Sequence, residues 1–207
     1  MRKTWLPSAI LLAGALLATT AKAQTDASAS VLGAFSTSTN GNNVNQSPSV
    51  ALGGLLELRH IAHPLVGFEA TYSYYRANEV YSATSYVCPV TTPSCAPPQP
   101  QPVHANANEF TVDWVASVRI LNLRPFALAG VGGVFTNPDS NQEFTNSDTK
   151  FVTVYGAGVD VALIPHFGLR LQYRGNLHKA AALSTVYTSS DAFVHTAQPM
   201  AGLYFRL

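Results

Sequence analysis

Charge is scarce in this chain: only 11% of its 207 residues are Asp, Glu, Lys or Arg, and the formal net charge is +1. So little charge argues against a surface solvated all round, and there is no basic stripe or acidic tail to engage nucleic acid. Beyond the amino terminus no apolar run reaches the ~20 residues of a membrane-spanning helix, so a mature chain that crosses a membrane must do so as strands. The histidines are scattered and do not form a metal constellation, and no cofactor is expected. Cysteine is limited to Cys88 and Cys95. Glycine, phenylalanine and tyrosine are plentiful instead, at 14, 10 and 9 residues, and no break in composition marks a second domain.

The amino terminus carries its own address. Arg2 and Lys3 precede an apolar run from Leu6 to Ala18, and Ala21-Lys22-Ala23 follows before Gln24. That three-part pattern predicts a secretory signal peptide over 1–23, cleaved after Ala23, with a single domain over 24–207. The run is too short for a membrane anchor, and no cysteine follows the cleavage site to carry a lipid.

Within 24–207 the dominant signal has period two. Phe110, Val112, Trp114, Ala116, Val118 and Ile120 alternate with Thr111, Asp113, Ser117 and Arg119, with Val115 alone breaking the polar row. The same register runs through Phe167 to Arg174 and Gly202 to Leu207, and weaker copies lie at 28–37, 49–60, 65–76, 125–135 and 151–163. That makes eight candidate strands. Their connections alternate in length: tight at Ile61-Ala62-His63-Pro64, Leu121-Asn122-Leu123-Arg124 and Ile164-Pro165-His166, long and polar at 38–48, 77–106, 136–150 and 178–192. Short turns at one end and long loops at the other are the pattern of a transmembrane barrel.

Alternation alone does not separate a membrane barrel from a soluble one, but the composition of the two rows does. The polar row is rich in small residues (Gly53, Gly67, Thr71, Ser73, Ser117, Gly156, Gly158, Gly168), as a narrow, filled interior requires. The apolar row carries Phe68, Tyr72, Trp114, Tyr155, Phe167, Tyr173 and Phe205, as aromatic girdles would. This facing predicts an all-β fold, an eight-stranded antiparallel up-and-down transmembrane β-barrel with short periplasmic turns and long extracellular loops. It also sends Glu57, Arg59, Glu69, Asp113, Arg119, Asp160, Arg170, Arg174 and Arg206 into the lumen, where they must pair to avoid a large desolvation cost. Such a network serves either as an ion pathway or as a structural plug, and the width of an eight-stranded barrel favours the plug.

The chain closes on Gly202-Leu203-Tyr204-Phe205-Arg206-Leu207, in which Gly202, Phe205 and Leu207 match the terminal assembly signal of outer-membrane barrels. Met200 and Leu207 depart from its commonest form. With the eight alternating segments, this resembles the small outer-membrane barrels of the OmpA/OmpX type, in the outer membrane protein β-barrel domain family. The resemblance implies residence in the outer membrane of a Gram-negative type bacterium after signal removal, insertion by the barrel assembly machinery, and a monomer in the lipid bilayer. It implies roles ranging over envelope stability, adhesion and resistance. The peptidoglycan-binding domain of longer relatives is not expected here.

The loops are the expected contact surface for an extracellular protein or glycan. Cys88 and Cys95, amid several prolines, are expected to form one disulfide that stiffens the longest loop, since two thiols and His104 leave a tetrahedral metal site incomplete. Asn, Ser and Thr dominate the others, giving flexible, uncharged segments. Some small outer-membrane barrels deacylate lipid A, and His195 is the residue here that such chemistry would use. The serine expected two residues later is Ala197, so a relay would need His178 with Ser184, or His195 with Ser190 and Asp191, brought together by loop folding. A non-enzymatic surface or structural barrel is the leading expectation. A lipid A modifying enzyme and a soluble periplasmic ligand-binding barrel are the alternatives.

Overall fold

A computed structural model describes residues 23–63, 65–85, 96 and 98–207. The predicted leader up to Lys22 and both cysteines lie outside the described residues. In chain order the strands are β1 (Gln24–Ser36), β2 (Thr39–Gly41), β3 (Val44–Pro48), β4 (Ala51–His63), β5 (Val66–Arg76) and β6 (Glu79–Ala83). They continue as β7 (Gln101–Val103), β8 (Ala105–Ser117), β9 (Leu123–Pro138), β10 (Asp148–Ala162), β11 (Phe167–Lys179) and β12 (Phe193–Arg206).

Eight of these strands close a barrel in the order β1, β4, β5, β8, β9, β10, β11, β12, with β12 returning to β1 and every pair antiparallel. Closure leaves no strand edge unpaired, which is what a sheet in hydrocarbon requires. Side chains sort strictly by parity. Along β8, for example, Glu109, Thr111, Asp113, Val115 and Ser117 are buried, while Phe110, Val112 and Trp114 are exposed on the outer wall.

The strands run past the segments with clear alternation. β8 begins at Ala105 and β12 at Phe193, because above the apolar band the outer face is polar as well and the sequence pattern fades. At the other end β8 stops at Ser117, three residues before the pattern does. The chain turns there: Val118 N–H donates to Pro125 O (3.1 Å), Ile120 and Leu123 form a bridge, and Leu121 takes a left-handed φ of 56°.

The longest connections contain regular structure among their described residues. Segments read as polar loops at 38–48 and 77–106 contain β2, β3, β6 and β7, which form a second, four-stranded sheet in the order β2, β3, β6, β7. Asn42 and Asn43, with φ of 51° and 59°, are the two central residues of the hairpin joining Gly41 to Val44. Two consecutive positive φ values match the twist of the flanking strands, and Asn tolerates that region better than most residues.

At the seam, Ser30 stands opposite Gly202 and Ala27 opposite Phe205. A Cβ at Gly202 would fall 2.5 Å from the Cα of Ser30, so the backbone of β1 leaves no room for a side chain at the glycine of the terminal hexapeptide. Phe205 is on the outer wall, its ring centroid 4.9 Å from that of Phe167, while Leu207 N–H donates to Thr25 O (3.0 Å). Gly202→Val is expected to lower stability by about 1–3 kcal/mol through overpacking. Urea unfolding of the detergent-folded protein, followed by heat-modifiable gel mobility, checks this, with outward-facing Ala201→Val as the neutral comparison.

Candidate functional site

Two regions concentrate polar and functional side chains: the lumen and the head formed by the second sheet. In the lumen, period-two spacing places one or two ionisable residues from most strands on the inner wall. Arg170 of β11 is the hub. Its Nε donates to Asp160 Oδ1 (2.7 Å), its Nη2 to Asp26 Oδ1 (2.8 Å), and its Nη1 to Glu57 Oε2 and Ser28 Oγ (both 3.1 Å). The Ser28 hydroxyl in turn donates to Glu57. Arg124 Nη2 bridges Asp26 and Asp160 at 2.6 Å each. Arg59 pairs with Glu69, reaches Asp160 at 3.5 Å and stacks its guanidinium 3.9 Å from the centroid of Phe126. Further up, Arg174 Nη2 contacts Thr111 Oγ1 (2.8 Å) and Asp113 Oδ2 (3.1 Å), and the Asn176 amide donates to both oxygens of Glu109 at 2.7 Å.

The structure brings Glu57, Arg59, Glu69, Asp113, Asp160, Arg170 and Arg174 together, and leaves two predicted members out. Arg119 is exposed, because β8 has already ended and the turn cancels its parity. Arg206 is half-buried at the rim, where its Nε lies 2.8 Å from the Gln24 carboxamide oxygen once that amide is turned to accept. Asp26, Glu109 and Arg124 join instead, so the buried set is six carboxyl groups and four arginines. Each stands just outside a segment whose alternation is clear, and only strand pairing extends the register to it.

Above the charged layer lies an apolar one, built from Leu32, Ala34, Ala51, Leu55, Tyr75, Ala107, Val134 and Met200. Arg59, Arg170 and Arg174 are fully buried, whereas a water-lined channel would leave them exposed. Removing one member of such a network strands its partners in a medium that solvates them poorly. Arg170→Met is expected to destabilise the barrel by about 3–5 kcal/mol, and exposed Arg119→Ala by no more than about 0.5 kcal/mol. Denaturant unfolding in matched detergent separates the two.

The head has a core of its own. Val44, Tyr81 and Val103 from its sheet pack on Ala105, Ala181, Leu183 and Tyr187. Polar side chains tie the sheet to the β11–β12 connection: Gln46 Nε2 donates to Ala181 O (2.8 Å), Ser190 N–H donates to Gln46 Oε1 (2.7 Å), and Tyr81 Oη donates to Ala181 O (2.9 Å). The β9–β10 connection joins through Asn146 N–H to Leu183 O and Thr185 N–H to Phe144 O, both at 2.9 Å.

Beneath the sheet, half-buried Glu79 lies 3.2 Å from Gln46 Nε2, and burial pushes its carboxyl up to about 7. A carboxyl whose folded value is raised contributes stability that is complete below its unfolded value and lost as pH rises through the folded one. Hydrogen exchange of the β3 and β6 amides, corrected for intrinsic rates, is expected to show tighter protection at pH 4 than at pH 8. Glu79→Gln should flatten that difference.

His195 Nε2 lies 2.9 Å from Tyr155 Oη, Ser190 Oγ 2.8 Å from Thr39 Oγ1, and Asp191 Oδ1 2.8 Å from Lys179 Nζ. Each of the three groups that a relay would need is therefore engaged with a different partner. His178 Nδ1 lies 2.9 Å from Lys179 O, while Ser184 Oγ donates to Gln101 Oε1 (2.5 Å). No cluster of His, Cys, Asp and Glu suited to a metal occurs among the described residues.

Comparison with known structures agrees with this architecture. Neisserial surface protein A superposes with a TM-score of 0.59 at 13% identity, over 90% of this chain and 100% of that one. Ail, the attachment invasion locus protein of Yersinia pestis, solved with the heparin analogue sucrose octasulfate, superposes with a TM-score of 0.51 at 14% identity over the same shares. At such identities the likeness concerns the fold. No curated protein sequence matches significantly. The family model of the outer membrane protein beta-barrel domain matches residues 8–205. With its closed barrel of eight antiparallel strands, the chain belongs to the outer membrane protein β-barrel family and resides in the outer membrane of a Gram-negative bacterium.

Proposed function

We propose that this protein is a non-enzymatic surface-contact barrel: a plugged anchor in the outer membrane that presents a folded head to the exterior. In this reading the signal peptide is removed after Ala23, the assembly machinery recognises Gly202, Phe205 and Leu207, and the mature barrel acts as a monomer. The observation that carries the proposal is the head's independent core. Solvated caps have no need to bury Tyr81, Val103 and Leu183 completely, whereas a surface that must hold its shape for a partner does. A disulfide between Cys88 and Cys95 would stiffen the same region.

The head's charge argues against a polyanionic sugar of the kind seen on Ail. Arg76, Lys150 and Lys179 each lie within 2.9 Å of a carboxylate, on Asp139, Asp148 and Asp191 respectively, so no concentrated basic patch is formed by them. Phe144 and Val186, 65% and 60% exposed, offer apolar contact amid Asn, Ser and Thr, which favours a protein or a neutral glycan. Phe144 holds a φ of 58°, a strained position for an aromatic residue, and strain of this kind collects at contact sites.

Outer-membrane vesicles carrying either the wild-type protein or Tyr81→Ser, spread on an array of purified extracellular-matrix proteins and glycans, test the reading. Binding should disappear in the variant while heat-modifiable mobility persists. Identical patterns for both vesicles would overturn it. A change in lipid A mass that depends on the protein would favour the enzyme instead.

A further inference from the structure

Five of the six carboxyl groups buried in the lumen, those of Asp26, Glu57, Glu69, Asp113 and Asp160, lie within 3.1 Å of an arginine nitrogen. Glu109 is the exception among the described residues. Both its oxygens accept from the Asn176 amide at 2.7 Å, and that donor carries no charge. The four buried arginines are already shared among the other five acids. Arg174 contacts Asp113 at 3.1 Å and stands 3.6 Å from Glu69, so it has no charge to spare. Positions 64, 86–95 and 97 contain no lysine or arginine to supply one. A buried carboxylate left in this condition is costly.

Around Glu109 the inner wall also offers oxygens that are not engaged. Ser73 stands opposite Glu109 in the β5–β8 pair, and its hydroxyl has no hydrogen-bond partner among the described residues. Asn176 Oδ1 is equally free, and so is Gln198 Oε1, diagonal to Asn176 across the β11–β12 pair. All four residues are at most 1% exposed.

From this arrangement we propose that Glu109 holds an alkali-metal cation, sodium or potassium, with Ser73 Oγ, Asn176 Oδ1 and Gln198 Oε1 as neutral ligands. Donor type and charge together select this occupant. Hard cations take carboxylate, carbonyl and hydroxyl oxygens, and no softer ligand is present here. One uncompensated carboxylate balances one positive charge. A divalent ion would call for further carboxylates, and the Arg174 guanidinium on the same wall would repel it more strongly. The apolar layer begins at this level, with Val134 opposite Glu109 and Leu55 opposite Ser73, so an ion seated during folding is shielded from the exterior. It ties β5, β8, β11 and β12 together where the charged and apolar layers meet. The contact role of the head is untouched by it.

The full chain, folded in detergent with sodium chloride and then exchanged into choline chloride, provides the test, with retained sodium counted by elemental mass spectrometry. The wild type is expected to keep about one ion per chain, as is Glu143→Gln, which alters an exposed carboxylate of the head. Glu109→Gln preserves the shape and the Asn176 contact without the charge, and should keep at least about tenfold less. Heat-modifiable mobility verifies that each variant is folded, and potassium chloride should give the same pattern. The proposal is overturned if the wild type keeps neither ion, or if folded Glu109→Gln keeps as much. It is equally overturned if the infrared spectrum of the wild type in sodium chloride shows a neutral carboxylic acid band that specific isotope labelling of glutamate assigns to the lumen, since a proton would then stand in place of the ion. That last measurement needs no variant, and decides the matter should Glu109→Gln fail to fold.

Discussion

Hydrocarbon offers no partner to a backbone amide, and this one constraint organises the molecule. Every strand in the bilayer must satisfy its N–H and C=O groups with a neighbour, so the sheet closes and β12 returns to β1. Closure then dictates sorting: with period two, each residue faces either lipid or a lumen just wide enough for side chains. The outer row becomes apolar and aromatic. The inner row is left with the polar residues, and it can bury them only by pairing them with one another.

Arg170 shows how that pairing works. Its three donor directions are taken by Asp160, Asp26 and Glu57, which come from β10, β1 and β4, so one guanidinium links strands distant in sequence. Arg124 shares Asp26 and Asp160, Arg59 shares Asp160 alone, and the Phe126 ring packs against Arg59. A hydrophobic filling could have been equally stable, because buried ion pairs recover little net energy over apolar packing. What the charged filling adds is directional bonding across the barrel. The apolar layer and the head stand on that base.

The fold was largely legible because alternation, aromatic rows and loop lengths are local properties of the chain. Phe110 to Ser117 reads correctly as a half-buried strand, and Trp114 falls on the outer wall as its parity requires. Legibility ends where parity is interrupted. Arg119 shares the pattern of β8 but lies in the turn, and Asp26, Glu109 and Arg124 enter the lumen from outside the clear segments. The head was the largest omission: 38–48 and 77–106 read as loops since Asn, Ser and Pro dominate them, and the Asn42-Asn43 hairpin was the one local signal of order.

The sequence by itself determined that this chain forms a closed membrane barrel, because period two and scarce charge leave strands in lipid as the consistent outcome. Tertiary structure alone decided which carboxylate meets which arginine, that the long loops join into one head, and that Glu109 faces Ser73 and Asn176. These facts depend on register between strands far apart in the chain. Register is set by closure and packing of the whole barrel, and no single segment encodes it.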